Sequence, residues 1–336
     1  MTIIAVISGF EIWEDIADYC RIKADWFREN LELTLENGVA SHDTFRRVFG
    51  IIKSSELESS FRSWVDGIVE ITEGEIVGVD GKTVRGSGDK KTKAIHMVSA
   101  WATANRVVLG QVKTAEKSNE ITAIPTLIEL LELKGCIVTI DAMGCQKEIV
   151  KAISAAEADY VIGLKGNQGN LHKEVQKCFE NTPIAPEKFT TKNEGHGRTE
   201  LRKYSLITDI ENITNKEDWM NFNAIGMVES IVLEKCKVRQ ETRYFIASLT
   251  DVKVFAKAVR GHWGIENSLH WCLDVVFNED NCRIRESNSA ENFSVIRHFA
   301  LCALNQHSSK ISLARKRRKC QYDSNFLLDV ISHVVS

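Results

Sequence analysis

The chain has 336 residues, 43% hydrophobic and 26% charged, with a net charge of −3, which supports a sizeable buried core in one to three domains. It excludes a bilayer-spanning helix, because no apolar run approaches ~18 residues, and a secretory leader, because no basic residue precedes the apolar Ile3 to Ile7. Nine scattered cysteines without a C-x-x-C fit reduced thiols in a cytoplasmic protein better than a disulfide framework or a zinc knuckle.

Residues 11 to 66 read as short helices: Glu11 to Arg28, Thr44 to Phe49 and Ser55 to Val65, with Ser41 or Asp43 capping the second. Thr44-Phe45-Arg46-Arg47-Val48-Phe49 has a helix-turn-helix flavour, and a small helical domain is the favoured reading. Near residue 75 the pattern switches. Glu75 to Asp80 is a short buried strand ending in an acid, and Ala94 to Ala102 and Arg106 to Lys113 are strands around a turn at Thr103-Ala104-Asn105. A helix from Thr122 to Leu133 carries Pro125 in its first turn, where N–H groups have no intrahelical partner. Cys136 to Asp141 is again an apolar strand ending in an acid. Glu148 to Ala158 is a helix, Asp159 to Lys165 a fifth strand, and Leu171 to Glu180 a helix.

The order β-β-β-α-β-α-β-α predicts an α/β fold, a mixed sheet with helices on its faces. Residues 184 to 250 read as a β-rich insertion. Asp251 then caps a helix from Val252 to Val259, Gly261 and Gly264 weaken the join to the next stretch, and a helix from Ala290 to Leu304 precedes a basic tail. The expected division is 1–70 helical, 71–183 first part of the sheet domain, 184–250 insertion, 251–305 helical, and 306–336 basic tail.

The acidic balance argues against a generic nucleic-acid binder, but the charge is uneven. Lys310 with Arg315 to Lys319, Lys90-Lys91-Thr92-Lys93, and His196-Gly197-Arg198 with Arg202-Lys203 are basic clusters. Each reads either as a solvated face or as a stripe for a polyanion.

The stretch from Val259 to Trp271 holds two tryptophans, two histidines, an arginine and a carboxylate. Glu266, Leu269, His270 and Leu273 follow the i, i+3, i+4, i+7 rule and would share one helical face. A carboxylate on a half-apolar face needs a cation or a metal. Trp263 and Trp271 read as core packing or, less favoured, as platforms for a base. Two strands end in aspartate, at Asp80 and Asp141, each followed by small residues, and catalytic groups gather at the carboxyl ends of strands in α/β sheets. On neighbouring strands the two carboxylates would repel unless a cation joined them, and Mg²⁺ is the usual hard cation for carboxylates and phosphates. Glu266 would be the third acid. No H-E-x-x-H, G-x-S-x-G or complete phosphate loop occurs.

Several blocks together resemble the H-repeat-associated branch of bacterial insertion-sequence transposases: Ser41 to Val48, Val79-Asp80-Gly81-Lys82-Thr83-Val84-Arg85, Lys117 to Pro125, Ile140 to Gln146, Lys165-Gly166-Asn167-Gln168, Arg260 to Trp271, and Leu273 to Val276 with Asn278-Glu279-Asp280. The resemblance covers nearly the whole chain. It implies a ribonuclease-H-like mixed sheet with a β-rich insertion before the last catalytic helix, and a small N-terminal helical domain. It also implies a DDE triad of Asp80, Asp141 and Glu266. Chains of that branch usually begin some tens of residues upstream, so a shortened N-terminus is expected. In the wider superfamily an Arg four residues before the Glu and a Lys seven after it contact DNA. Here those positions are His262 and Leu273, with Arg260 and His270 as nearby substitutes.

The resulting expectation is a DDE transposase using two Mg²⁺ (or Mn²⁺) ions on Asp80, Asp141 and Glu266. It would cut and join double-stranded DNA at element ends and target, as a homodimer when engaged, with no membrane partner. Lys82, Arg85, Lys165, Asn167, Gln168, Arg260, His262 and His270 are the expected DNA contacts. The alternatives are an inactive, truncated remnant that at most binds DNA, and a plain nuclease on the same fold.

Overall fold

The computed structural model describes residues 1–114, 120–181, 186–195, 197–234, 237–286 and 288–333. Lys117 to Asn119 of one motif block and His196 of one basic cluster lie outside them.

Five helices come first: α1 (Thr2–Ile7), α2 (Trp13–Ile22), α3 (Ala24–Leu31), α4 (His42–Ile51) and α5 (Ser54–Ile68). The long first helix expected from the sequence is two, broken at Lys23. The Ser41 hydroxyl, rather than Asp43, caps α4 by accepting from Thr44 N–H at 3.3 Å. Next come β1 (Ile76–Thr83), β2 (His96–Ala102), β3 (Val107–Thr114), α6 (Glu120–Glu129), β4 (Ile137–Ile140), α7 (Lys147–Ala155), β5 (Asp159–Leu164) and α8 (Gly169–Asn181). Pro125 lies beyond the first turn of α6, correcting its expected place. The segment expected as an insertion forms β6 (Glu187–Gly195), β7 (Arg198–Ile207), β8 (Ala224–Glu234) and β9 (Lys237–Ala247). The chain ends in α9 (Val252–Gly264), a π-helical turn over Ile265–His270, α10 (Trp271–Val275), α11 (Ser289–Gln306), α12 (Leu313–Tyr322) and α13 (Ser324–Ser332). Among the described residues no helix is long and apolar enough to cross a membrane.

The chain forms two compact units: Met1–Glu70 with Gly81–Lys117 and Glu266–Ser336, and Ile71–Asp80 with Ser118–Ile265. Strand β1 contributes residues to both. The strand order is β3-β2-β1 in the first unit and β1-β4-β5-β9-β8-β7-β6 in the second. Strands β2 and β3 are antiparallel, whereas β1, β4 and β5 are mutually parallel. The order β3-β2-β1-β4-β5 is that of a ribonuclease-H-like sheet. These four strands extend the sheet: β9 pairs antiparallel with β5, from Val161↔Ala247 to Leu164↔Tyr244, and β6 to β9 form antiparallel neighbours.

In the second unit α9 lies on the sheet through Val252, Phe255, Ala256 and Ala258, packed with Ile76, Ile137, Val161, Tyr204 and Leu206. The helix runs straight through Gly261, so this glycine does not weaken the join. A Cβ there would stand 2.8 Å from Ile76 Cγ2, so the missing side chain lets α9 approach β1. In the first unit α11 is almost wholly buried, and α1 is apolar and buried beside it.

The basic run expected as a tail is helix α12, and two of its cations turn inward. Lys316 Nζ donates to the carbonyls of Leu304 (2.8 Å) and His307 (2.7 Å). Arg317 donates to Val6 O and Val276 O, pairs with Glu11, and lies 4.2 Å from the Phe277 ring centroid. Carbonyls at helix ends lack intrahelical partners, and these cations supply them.

Candidate active site

Strands β1 and β4 run in parallel with Val79 opposite Ile140. The next residues, Asp80 and Asp141, each follow the last paired residue of this ladder; β1 itself runs on to Thr83, beyond its expected end at Asp80. Asp141 caps a short 3₁₀ turn: one carboxylate oxygen accepts from Met143 N–H at 2.9 Å and Gly144 N–H at 3.4 Å. Those bonds fix the rotamer and leave the other oxygen for a cation. The loop is held from the far side as well. Asn167 donates to Ala142 O at 2.7 Å and Gln168 to Cys145 O at 2.9 Å. These two amides were expected at DNA; the structure uses them to brace the turn behind Asp141.

Glu266 is the second residue of the π-helical turn, with His270 Nδ1 3.7 Å from its carboxylate. The expected α-helical face therefore does not form. A π turn advances five residues per hydrogen bond rather than four. Ile265, Leu269, His270 and Leu273 are buried, while the Glu266 side chain is 53% exposed. His270 is thus a buried neighbour of the acid rather than a surface cation. The tryptophans, favoured as core, are surface residues: Trp263 is 41% and Trp271 55% exposed.

Of the remaining expected contacts, Arg260 is exposed, and His262 Nδ1 stands 3.2 Å from Thr139 Oγ1. Lys165 is exposed, and Arg85 is 81% exposed beside Asp280. Lys82 is enclosed: its ammonium meets Asp274 at 2.7 Å, Glu279 at 2.9 Å and Asp280 at 3.3 Å, with 11% of the side chain exposed. Burial works against its charge, but Glu279 and Asp274 outweigh it and raise the pKa. Glu279 is fully buried, which opposes ionisation, yet Arg297 and Lys82 hold its pKa below the ordinary carboxylate value.

One group was not foreseen. In the second unit Arg202, Arg243 and Arg260 line a cavity of about 180 Å³ with Glu200, Glu241 and Trp263. Arg243 lies 5.3 Å from the Trp263 ring centroid. Burial and the neighbouring Arg260 lower the Arg202 pKa. The period-2 pattern of Glu200, Arg202 and Tyr204 puts them on one strand face, which the sequence does show; the partners come from β9 and α9.

His307, Asp329 and His333 also cluster. Ser309 N–H donates to His307 Nδ1 at 3.2 Å, so the proton sits on Nε2, which donates to Asp329 at 2.9 Å. Both ring nitrogens are used, and a metal at Nε2 would force a second N–H against Ser309. The cluster fits a docking contact for α13, not a metal site. Burial pushes several thiols up, Cys145 to about 12, which makes these poor nucleophiles.

The profile of the transposase DDE domain matches residues 72–305, and that of the DDE_Tnp_1-associated region matches residues 1–65. The chain belongs to the DDE transposase family. It is 41% identical to the "H repeat-associated putative transposase YhhI" of Escherichia coli K12, across 99% of this chain and 90% of that one. It is also 41% identical to the "Putative transposase YncI" of Escherichia coli O157:H7, across 99% and 87%. A piggyBac transposase, solved as a synaptic complex with hairpin DNA, aligns over 97% of this chain and 80% of that one at 11% identity and a TM-score of 0.43. In this transposase Asp80 and Asp141 follow the last paired residues of two adjacent parallel strands, and Glu266 lies on a π-helical turn.

Proposed function

We propose that this transposase cuts and rejoins double-stranded DNA with divalent metal ions held by Asp80, Asp141 and Glu266. The observation that supports the reading is the parallel β1–β4 register, in which Asp80 and Asp141 directly follow the last paired residues, Val79 and Ile140. The donor set fits a hard cation: all three residues offer carboxylate oxygens, and Asp141 keeps one oxygen clear of its backbone bonds. Bound Mg²⁺ or Mn²⁺ supplies charge neutralisation for the attacking and leaving oxygens of an in-line displacement at phosphorus.

The chain's own residues do the rest. Asp141 is preset by its cap, and Asn167 and Gln168 keep its loop from relaxing. Positioning and fixed charge contribute most of such catalysis, because a displacement at phosphorus needs little covalent help. Arg260 and Arg85, both exposed, and Lys165 offer cations to phosphates. Joining two element ends calls for two copies of the chain on DNA. The test uses purified full-length protein, Mn²⁺ and linear DNA carrying the sequences that flank its gene. Strand cleavage is expected, and Asp141→Ala should reduce it to the level without protein. Cleavage that survives this change overturns the triad. A folded wild type that binds the DNA without cutting it supports the inactive remnant instead.

A further inference from the structure

Two sequence blocks separated by almost two hundred residues meet in the first unit. One is the exit of β1, Gly81 to Gly86; the other runs from Asp274 to Arg285. Lys82 joins them through Asp274, Glu279 and Asp280. Arg85 N–H donates to Asp280 at 3.2 Å, and Arg285 Nε donates to Gly86 O at 2.9 Å. A Cβ on Gly86 would fall 2.1 Å from Cys282 O, so only glycine lets the two backbones lie this close. The charges balance locally: Arg297 reaches the second oxygen of Glu279 at 3.5 Å, and Arg85 that of Asp280 at 3.5 Å. Three cations thus face three carboxylates.

This arrangement excludes Lys82 as a phosphate contact, because its three donors already face carboxylates in a largely enclosed site. It gives the residue another task. Lys82 lies two residues beyond Asp80 on the same strand, and residues i and i+2 share a strand face. Asp274 lies eight residues beyond Glu266, at the end of the π turn and α10. A cross-link between these points fixes the strand that carries one acid to the helix that carries another. Carboxylates must stand within about 0.5 Å of the productive geometry to hold a metal well.

We propose that Lys82 is a positioning residue: by clamping the Asp274–Asp280 segment to the end of β1, it sets the affinity of the acids for the divalent ion. The inference rests on the proposed metal-dependent reading. Its test is Mn²⁺ binding by the full-length chain, measured as loss of the free-ion electron paramagnetic resonance signal. Lys82→Met alone leaves acids unpaired and risks misfolding, so the main variant is Lys82→Met with Asp274→Asn, which leaves Glu279 with Arg297 and Asp280 with Arg85. It should keep the wild-type circular dichroism and bind DNA in EDTA as wild type does. Its half-saturating Mn²⁺ concentration should rise about tenfold or more. Lys82→Arg, which keeps the charge and changes the geometry, should raise it about threefold. An unchanged Mn²⁺ half-saturation in the folded variants overturns the proposal, and so does weaker DNA binding in EDTA, which would make Lys82 a DNA contact. A wild type that binds no Mn²⁺, or binds it unchanged after Asp80→Asn with Asp141→Asn, overturns the metal reading itself.

Discussion

The two compact units are both rich in charge but use it differently. In the first, Arg297 and Glu279 are each 1% exposed, and Arg317, Lys316, Lys82 and Glu58 are also largely enclosed. Charge there ties helices together from inside. In the second, Arg260 and Lys165 are exposed, and the Arg243–Glu241 pair sits at the surface, with Arg202 the exception. The lesson is that a dense basic run is a poor guide to a polyanion surface. The run on α12 places two cations in the interior, whereas the arginines around Trp263 come from three separate elements.

Substitutions can break or sharpen this contrast. The largest effect is expected from Arg317→Met. It removes donors from Val6 O and Val276 O and strips Glu11 of one of its two arginines, so chemical denaturation should show a loss of about 3–5 kcal/mol. A loss below about 1 kcal/mol would show that the enclosed charges are not holding the first unit together.

Glu58 gives a smaller, pH-dependent effect. Burial pushes its carboxyl up to about 7 from an ordinary 4.5, although Gln111 N–H donates to it at 2.8 Å. The folded state then holds a proton that the unfolded chain releases. This contribution is fully present below about pH 4.5 and is lost as pH rises through about 7. Glu58→Gln should therefore flatten thermal stability across that window and raise it at pH 8 by about 2 kcal/mol. Equal pH profiles for the two proteins would reject the buried-acid reading.

Arg260→Ala should move stability least, within about 0.5 kcal/mol. Yet it should weaken DNA binding and reduce the salt dependence by about one phosphate contact. An unchanged salt slope would remove Arg260 from the DNA surface.

Much of the fold was legible in the sequence because short apolar runs ending in Asp80 and Asp141 have the length and composition of buried parallel strands. The caps at Ser41 and Asp251 were legible for the same local reason: a side-chain oxygen meets a backbone donor two or three residues on. The site was readable only where such local rules apply. Lys82 looked like a loop cation because its carboxylates lie about 190 residues downstream, and Asn167 and Gln168 looked like ligand contacts because the carbonyls they bind belong to another turn. The inward turn of Arg317 depends on Val6 O, at the other end of the chain. The π turn leaves no distinct signature either, since the spacing of Ile265, Leu269 and Leu273 also suits an ordinary helix.

That turn has a consequence for how the chain can vary in length. A π turn is an α-helix carrying one surplus residue, so removing any one residue between Glu266 and His270 would return the segment to ordinary pitch. The π turn takes up that residue in its wider ring, so everything from Trp271 onward would keep nearly the same facing. Leu273 would stay in the interior and Asp274 beside Lys82. The interval from Glu266 to Asp274 can therefore absorb the loss of one residue within the helix, whereas a second loss would turn the rest by about 100°.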